Sequence, residues 1–169
     1  MRKYNSIFLI LFLFALTNCT AQRDLKFETI LDAIKTCENP EKFAEFIKPY
    51  GFCFVEKKEM STFTYYTHFK CGTSEIGKEG IRVNFSVSND GSLNSSFLTR
   101  NEGMVANFKK ELEEFNFTET QENVDLSREN AKWYISDKFP GILILWEYNI
   151  DENHQKVWHI GFVWNIPEN

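Results

Sequence analysis

Eight glycines, four prolines, four cysteines and three histidines are sparse in a chain of 169 residues. Without abundant glycine and proline, collagen-like and low-complexity classes are excluded, and composition gives no coiled coil. None of His68, His154 and His159 falls in a metal-ligand spacing such as His-Glu-x-x-His. No two cysteines form a Cys-x-x-Cys pair, so a zinc site lacks its ligands. There is no Gly-x-Ser-x-Gly elbow for a serine hydrolase. Gly72, Gly77 and Gly80 are spread over a loop without the Lys-Ser/Thr that would hold a nucleotide phosphate and magnesium. No cofactor is implied.

Positive charge is also short. Lys and Arg number 19 against 24 Asp and Glu, a net charge of −5. Loss of residues 1–21 would remove Arg2 and Lys3 and no acid, leaving 17 against 24 and a net of −7. Such a surface repels phosphate backbones, and no basic stripe with interleaved aromatics offsets it, so nucleic acid is not an expected partner.

What the chain has is apolar mass. Hydrophobic residues make up 43% and aromatics 16%, including 17 Phe and 4 Trp, enough to bury a core in one domain and to exclude whole-chain disorder. The N-terminus carries the sharpest signal. Arg2 and Lys3 precede the uncharged run Ile7 to Leu16, too short to span a bilayer as a helix, and small or polar residues follow. This is the layout of a signal peptide over residues 1–21, with a mature domain from 22 to 169, and it implies export from a bacterial cell. Leu16-Thr17-Asn18-Cys19 resembles a lipobox that would lipidate Cys19, although Asn18 stands where such signals carry Gly, Ala or Ser. Cys19 and Ala21 at the −3 and −1 positions suit ordinary cleavage before Gln22. Soluble periplasmic or secreted export is the expectation, with a membrane-anchored lipoprotein as its alternative; a lipid would be the only membrane anchor. Cys37, Cys53 and Cys71 remain, allowing one disulfide pair and one free thiol.

Beyond the signal, periodicity predicts an α+β fold. Phe27, Ile30, Leu31, Ile34 and Cys37 form a helical stripe over 24–37, with Lys26, Glu28, Asp32 and Lys35 facing water. Asn39-Pro40 reads as an N-cap followed by proline in the first turn, and Phe43, Phe46, Ile47 and Tyr50 line a second helix stopped by Pro49 and Gly51. Period-two segments at 51–57, 62–70, 80–88 and 92–99 read as strands, the last two joined at Asn89-Asp90-Gly91. Asn101 caps a helix lined by Met104, Val105, Phe108, Leu112 and Phe115, and strand-like segments return at 116–121, 131–137, 141–149 and 156–164.

The second half echoes the first. Phe43, Ile47, Tyr50, Gly51 and Phe52 correspond to Phe108, Leu112, Phe115, Asn116 and Phe117 at a constant offset of 65. Gly80, Ile81, Val83, Phe85, Val87 and Asp90 correspond to Gly141, Ile142, Ile144, Trp146, Tyr148 and Asp151 at an offset of 61. An internal duplication of 39–100 and 101–166 is expected, as tandem helix-plus-four-strand units (ααββββ-αββββ) sharing an antiparallel sheet with helices on one face. This outline, with the small size and export signal, is similar to that of the secreted β-lactamase inhibitor proteins of bacteria, which implies a scaffold able to bind proteins.

Candidate chemistry is thin. Asp151 to His154 reads as a polar hairpin turn, lacking the ligand series of a calcium loop. Cys53 and His68 on adjacent strands form the one nucleophile–base pair that can be built, the basis of an alternative reading as a small envelope hydrolase or thiol enzyme. Trp133, Tyr134 and Trp146 would form a sugar platform if they faced solvent together. Ile142 to Leu145 is apolar on both strand faces, which marks Leu143, Leu145, Trp146, Trp158 and Trp164 as a candidate partner surface. The expectation is a non-enzymatic binding module of the cell envelope, with an envelope or extracellular protein or a small ligand as partner. An immunity or inhibitor protein is a further alternative.

Overall fold

A computed structural model describes residues 24–73, 80–121 and 130–164. The export signal and Cys19 lie outside these residues. Among the described helices none is long and apolar enough to cross a membrane.

Helix α1 (Phe27–Thr36) buries Phe27, Ile30, Leu31, Ala33 and Ile34, the stripe that its spacing dictates. Helix α2 (Pro40–Ile47) begins at Asn39, whose side-chain oxygen accepts the Lys42 N–H at 2.9 Å, and Pro40 occupies the first turn, where no N–H is needed. A 3-10 turn (Lys48–Tyr50) ends it, and Gly51 leaves in the left-handed region at φ 78°. Helix α3 (Glu102–Glu114) is capped in the same way, with Asn101 accepting the Met104 N–H at 2.9 Å. Asn116 takes the left-handed conformation after it, at φ 59°.

Eight strands follow these helices in two groups: β1 (Phe52–Glu59), β2 (Phe63–Lys70), β3 (Ile81–Ser88) and β4 (Leu93–Thr99), then β5 (Thr118–Thr120), β6 (Lys132–Ile135), β7 (Ile142–Ile150) and β8 (Lys156–Trp164). They form one antiparallel sheet in the order β1-β2-β3-β4-β8-β7-β6-β5. The fold is therefore α+β, with the two meanders meeting edge to edge through β4 and β8, where Phe97 opposes Ile160. Strands β5 and β6 are shorter than their patterns suggest. Asn116 turns the chain before β5, and after β6 the Ser136 hydroxyl donates to the Phe115 carbonyl at 2.9 Å while its own carbonyl accepts the Phe139 N–H, diverting the backbone from the ladder.

Register fixes two faces. Val83, Phe85, Phe97, Ile160, Phe162, Ile144 and Trp146 stand in cross-strand rows on one of them. The ring contacts from the helices land there: Phe43 of α2 on Phe85 at 4.7 Å, Phe27 of α1 on Phe162 at 5.4 Å, Phe108 of α3 on Phe97 at 6.0 Å. Phe27 also meets Phe108 and Phe117 and so ties α1 to α3. Burying each such ring contributes about 1.5–3 kcal/mol, which makes this layer the main source of stability. The reverse face carries the alternate residues, among them Thr67, Asn84, Ser96, Gly161, Leu145 and Trp133 in a single row.

Candidate functional site

The cysteines resolve first. Cys53 and Cys71 form a disulfide that links β1 to the segment just after β2, and Cys37 is a buried free thiol whose pKa burial pushes up. Cys53 opposes Phe69 on the reverse face, whereas His68 opposes Phe54 on the helix face. The two side chains expected to act together are therefore divided by the sheet. His68 is 1% exposed between the rings of Phe43 and Phe54, and neither ring nitrogen has a well-formed hydrogen bond. Burial, outweighing an opposing pull from the backbone at Val83 and Tyr66, lowers its pKa from 6.5 to about 4. It stands as a neutral core histidine.

The Asp151 segment is a turn. One carboxylate oxygen accepts the N–H groups of Asn153 and Gln155 at 2.9 Å, and the other accepts from Arg100 at 2.7 Å. The backbone bonds lead in holding its pKa down. His154 adopts φ 59° in this turn, and His159 pairs instead with Glu147 across β7 and β8 at 2.6 Å. Among the described residues no group of three His, Cys, Asp or Glu side chains could hold a metal ion.

The five residues of the candidate partner surface separate. Leu143 and Leu145 lie on the reverse face, while Trp146, Trp158 and Trp164 lie on the helix face. Trp164 is part of the core against Phe85. Likewise Trp133 faces away from Tyr134 and Trp146, so those three form no common platform.

Two concave sites result. On the helix face, a cleft of about 580 Å³ opens between α3 and strands β6–β8. Its floor is aromatic: Trp158 lies 6.4 Å from Trp146 and 5.2 Å from Tyr148, with Tyr134 beside them. Val105, Ala106 and Leu112 of α3 form the wall, and Lys132 paired with Glu119 at 2.8 Å stands at the rim. The Lys156 ammonium sits 4.9 Å from the Tyr148 ring centre and 5.6 Å from that of Trp158, a cation–π arrangement. The cleft exists because Phe108 of α3 packs toward Phe97 and Phe27, away from the outer strands. On the reverse face, a groove of about 280 Å³ runs between Phe63 and Tyr65 on one side and Trp133 and Leu145 on the other.

Sequence reasoning singled out Trp146, Trp158 and Tyr134 of the cleft and Trp133 and Leu145 of the groove, but it grouped them across the two faces and did not single out Phe63, Tyr65, Ser86, Asn94 or Ser96 as site residues. For the groove, the alternation of Asn84 and Ser86 with Asn94 and Ser96 was the available signal: central strands with polar residues on one side. Compared with known proteins, the chain matches no family model, no curated protein and no solved structure.

Proposed function

We propose that the protein is an exported, non-enzymatic binding module of the bacterial cell envelope that takes an apolar or aromatic group of its ligand in the cleft between α3 and β6–β8. The observation that carries this reading is the aromatic floor of Trp146, Tyr148 and Trp158 in a cavity of about 580 Å³, a volume and lining typical of small-ligand sites. Export is supported by the signal layout of residues 1–21 and by the Cys53–Cys71 disulfide, a bond that persists in oxidising compartments. In the soluble form cleavage falls before Gln22; in the lipoprotein form Cys19 is the anchor. The thiol-enzyme reading is not favoured, because Cys53 is bonded to Cys71 and His68 faces the other side of the sheet.

The scaffold of this module is, in the same reading, a duplicated unit with its helices on one face. The strand order reads alike from either edge, β1 to β4 answering β5 to β8. Gly51 and Asn116 are both left-handed at matching helix ends, and Asp90 and Asp151 both accept an N–H from two residues on, at 2.9 Å. Duplication gave two halves, and α3 leaves the second half's outer strands free to bind.

The test is titration of the mature protein with 1-anilinonaphthalene-8-sulfonate, a fluorescent probe that presents apolar aromatic rings and one sulfonate. Saturable one-to-one binding to the native state, abolished by Ala106→Trp with unchanged thermal unfolding, is expected. Ala106 is exposed at the cleft wall, so the new ring blocks the cleft without touching the core. Native protein that binds no probe, or a variant that binds it as well as wild type, would overturn the assignment.

A further inference from the structure

The groove on the reverse face has a chemistry different from the cleft. Thr67, Asn84, Ser96 and Gly161 form one row across β2, β3, β4 and β8, and Tyr65, Ser86, Asn94 and Val163 form the next. Small side chains thus floor the middle of the sheet while rings rise at its sides. Phe63 and Tyr65 pack edge to face at 4.5 Å as one wall, and Trp133 stands across from them. Gly161 keeps the floor low: a Cβ there would meet the Leu145 Cβ at 3.4 Å.

Among the described residues no lysine, arginine, aspartate or glutamate lines this groove, in a chain where a quarter of the residues are charged. Its polar groups are neutral hydroxyls and amides, with His159 at the edge. Among the described residues three buried side-chain polar atoms of this face lack a hydrogen-bond partner: Oδ1 of Asn84, a residue 8% exposed, Nε1 of Trp133, and Nε of Arg82, which lies one row beyond Asn84 and outside the groove lining. The Asn84 amide donates to the Ser96 hydroxyl at 3.3 Å, which leaves the Ser96 proton free to donate to a ligand.

We propose that this groove is a saccharide site, taking a neutral pyranose ring against Trp133 or Tyr65, with sugar hydroxyls on Ser86, Asn94 and Ser96. A charged ligand would find no lysine, arginine, aspartate or glutamate in the lining, since Arg82 lies outside it and Glu147 is paired with His159, and a purely apolar one would strand the polar floor without partners. An extended peptide is disfavoured for a different reason. The groove lies over central strands, whose backbone groups are consumed by the ladder, so a peptide gains no strand-like bonds. A pyranose offers what the groove can use, namely a C–H face for a ring and a rim of hydroxyls for neutral donors and acceptors.

The site is independent of the cleft proposed above, and the experiment separates the two. Isotope-labelled mature protein is titrated with cellohexaose, chitohexaose and maltohexaose to about 10 mM, above the millimolar range where weak specific binding saturates. For at least one of them, the Trp133 indole N–H and the Ser96 and Gly161 amides shift saturably. Trp133→Ala and Ser96→Ala, each with a dispersed native spectrum, weaken that binding by about tenfold or more, as loss of a central contact does. Ala106→Trp, which blocks the cleft, leaves it unchanged. No shift with any of the three sugars, shifts centred on the cleft, or binding indifferent to both groove variants overturns the proposal. So does a protein partner whose crosslinks converge on Trp133.

Discussion

Cys53 and His68 sit on neighbouring strands yet point to opposite faces of the sheet, because register pairs Cys53 with Phe69 and His68 with Phe54. One residue of register decides between a thiol–imidazole pair and two unrelated structural roles. Cys53 crosslinks β1 to the end of β2, and His68 fills a space between Phe43 and Phe54. Each role has its own measurable consequence.

Burial of neutral His68 makes stability depend on pH. Its pKa is about 4 folded against 6.5 unfolded, so between those values the unfolded chain binds more protons and stability rises with pH. The contribution is complete above pH 6.5 and is lost as pH falls toward about 4, amounting to about 3 kcal/mol at the shift given. Urea unfolding at neutral pH and at stepwise lower pH should show this slope. His68→Phe, which keeps a ring but no titratable nitrogen, should flatten it whatever the variant's overall stability. An equal slope in the variant would assign the effect to other groups.

Cys37, Cys53 and Cys71 should differ in reactivity. Native protein takes no alkylating reagent, because Cys53 and Cys71 are bonded and Cys37 is buried with its thiol pKa raised. Reduction without unfolding exposes Cys53 and Cys71 to labelling, and denaturation adds Cys37. Opening the loop of 18 residues between the bonded pair should lower stability by about 3 kcal/mol. Intact mass after each treatment reads the labels, and denaturant unfolding reads the stability.

Helix α1 should behave as part of the core. Phe27 is 0% exposed and touches rings of α3, β8 and Phe117, so Phe27→Ala should cost about 3–5 kcal/mol. Ile150, 55% exposed at the end of β7, is the matched control, and Ile150→Ala should stay within about 0.5 kcal/mol. Comparable losses at both positions would deny α1 its place over the sheet.

Which features were legible in the sequence follows from how local their causes are. The helix starts at Asn39 and Asn101, the left-handed exits at Gly51 and Asn116 and the turn at Asp151 depend on neighbours in the chain, and composition alone points to them. Strand spans followed from period two, except at β5, which starts only after the turn at Asn116, and at β6, which Ser136 draws out of the ladder. Strand order did not follow, because the pairing of β4 with β8 joins segments distant in sequence with equally apolar edges. Both sites inherit that blindness. Ser96 lies beside Gly161, and Tyr65 faces Trp133 across the groove, through pairings that no local pattern specifies. Trp146 and Trp158 were visible as large aromatics, but that they floor a cleft depends on where Phe108 anchors α3.

The matching helix ends offer a final test, one that bears on the proposed duplication. Asn116 pays the strain of the left-handed region at φ 59°, while Gly51 occupies it at φ 78° without a Cβ. If the two positions do the same work, Asn116→Gly should leave stability unchanged or raise it by about 0.5–1 kcal/mol, since the backbone is already shaped for glycine. Gly51→Ala should lower it by about 1–2 kcal/mol, the cost of forcing an ordinary residue into that region, and Asn116→Val should lower it at least as much because its branched Cβ suits the region less well. Thermal unfolding of the three variants measures the pattern. A stabilising Gly51→Ala would mean that the first helix ends in another way in solution, and the equivalence of the two halves would lose its best local support.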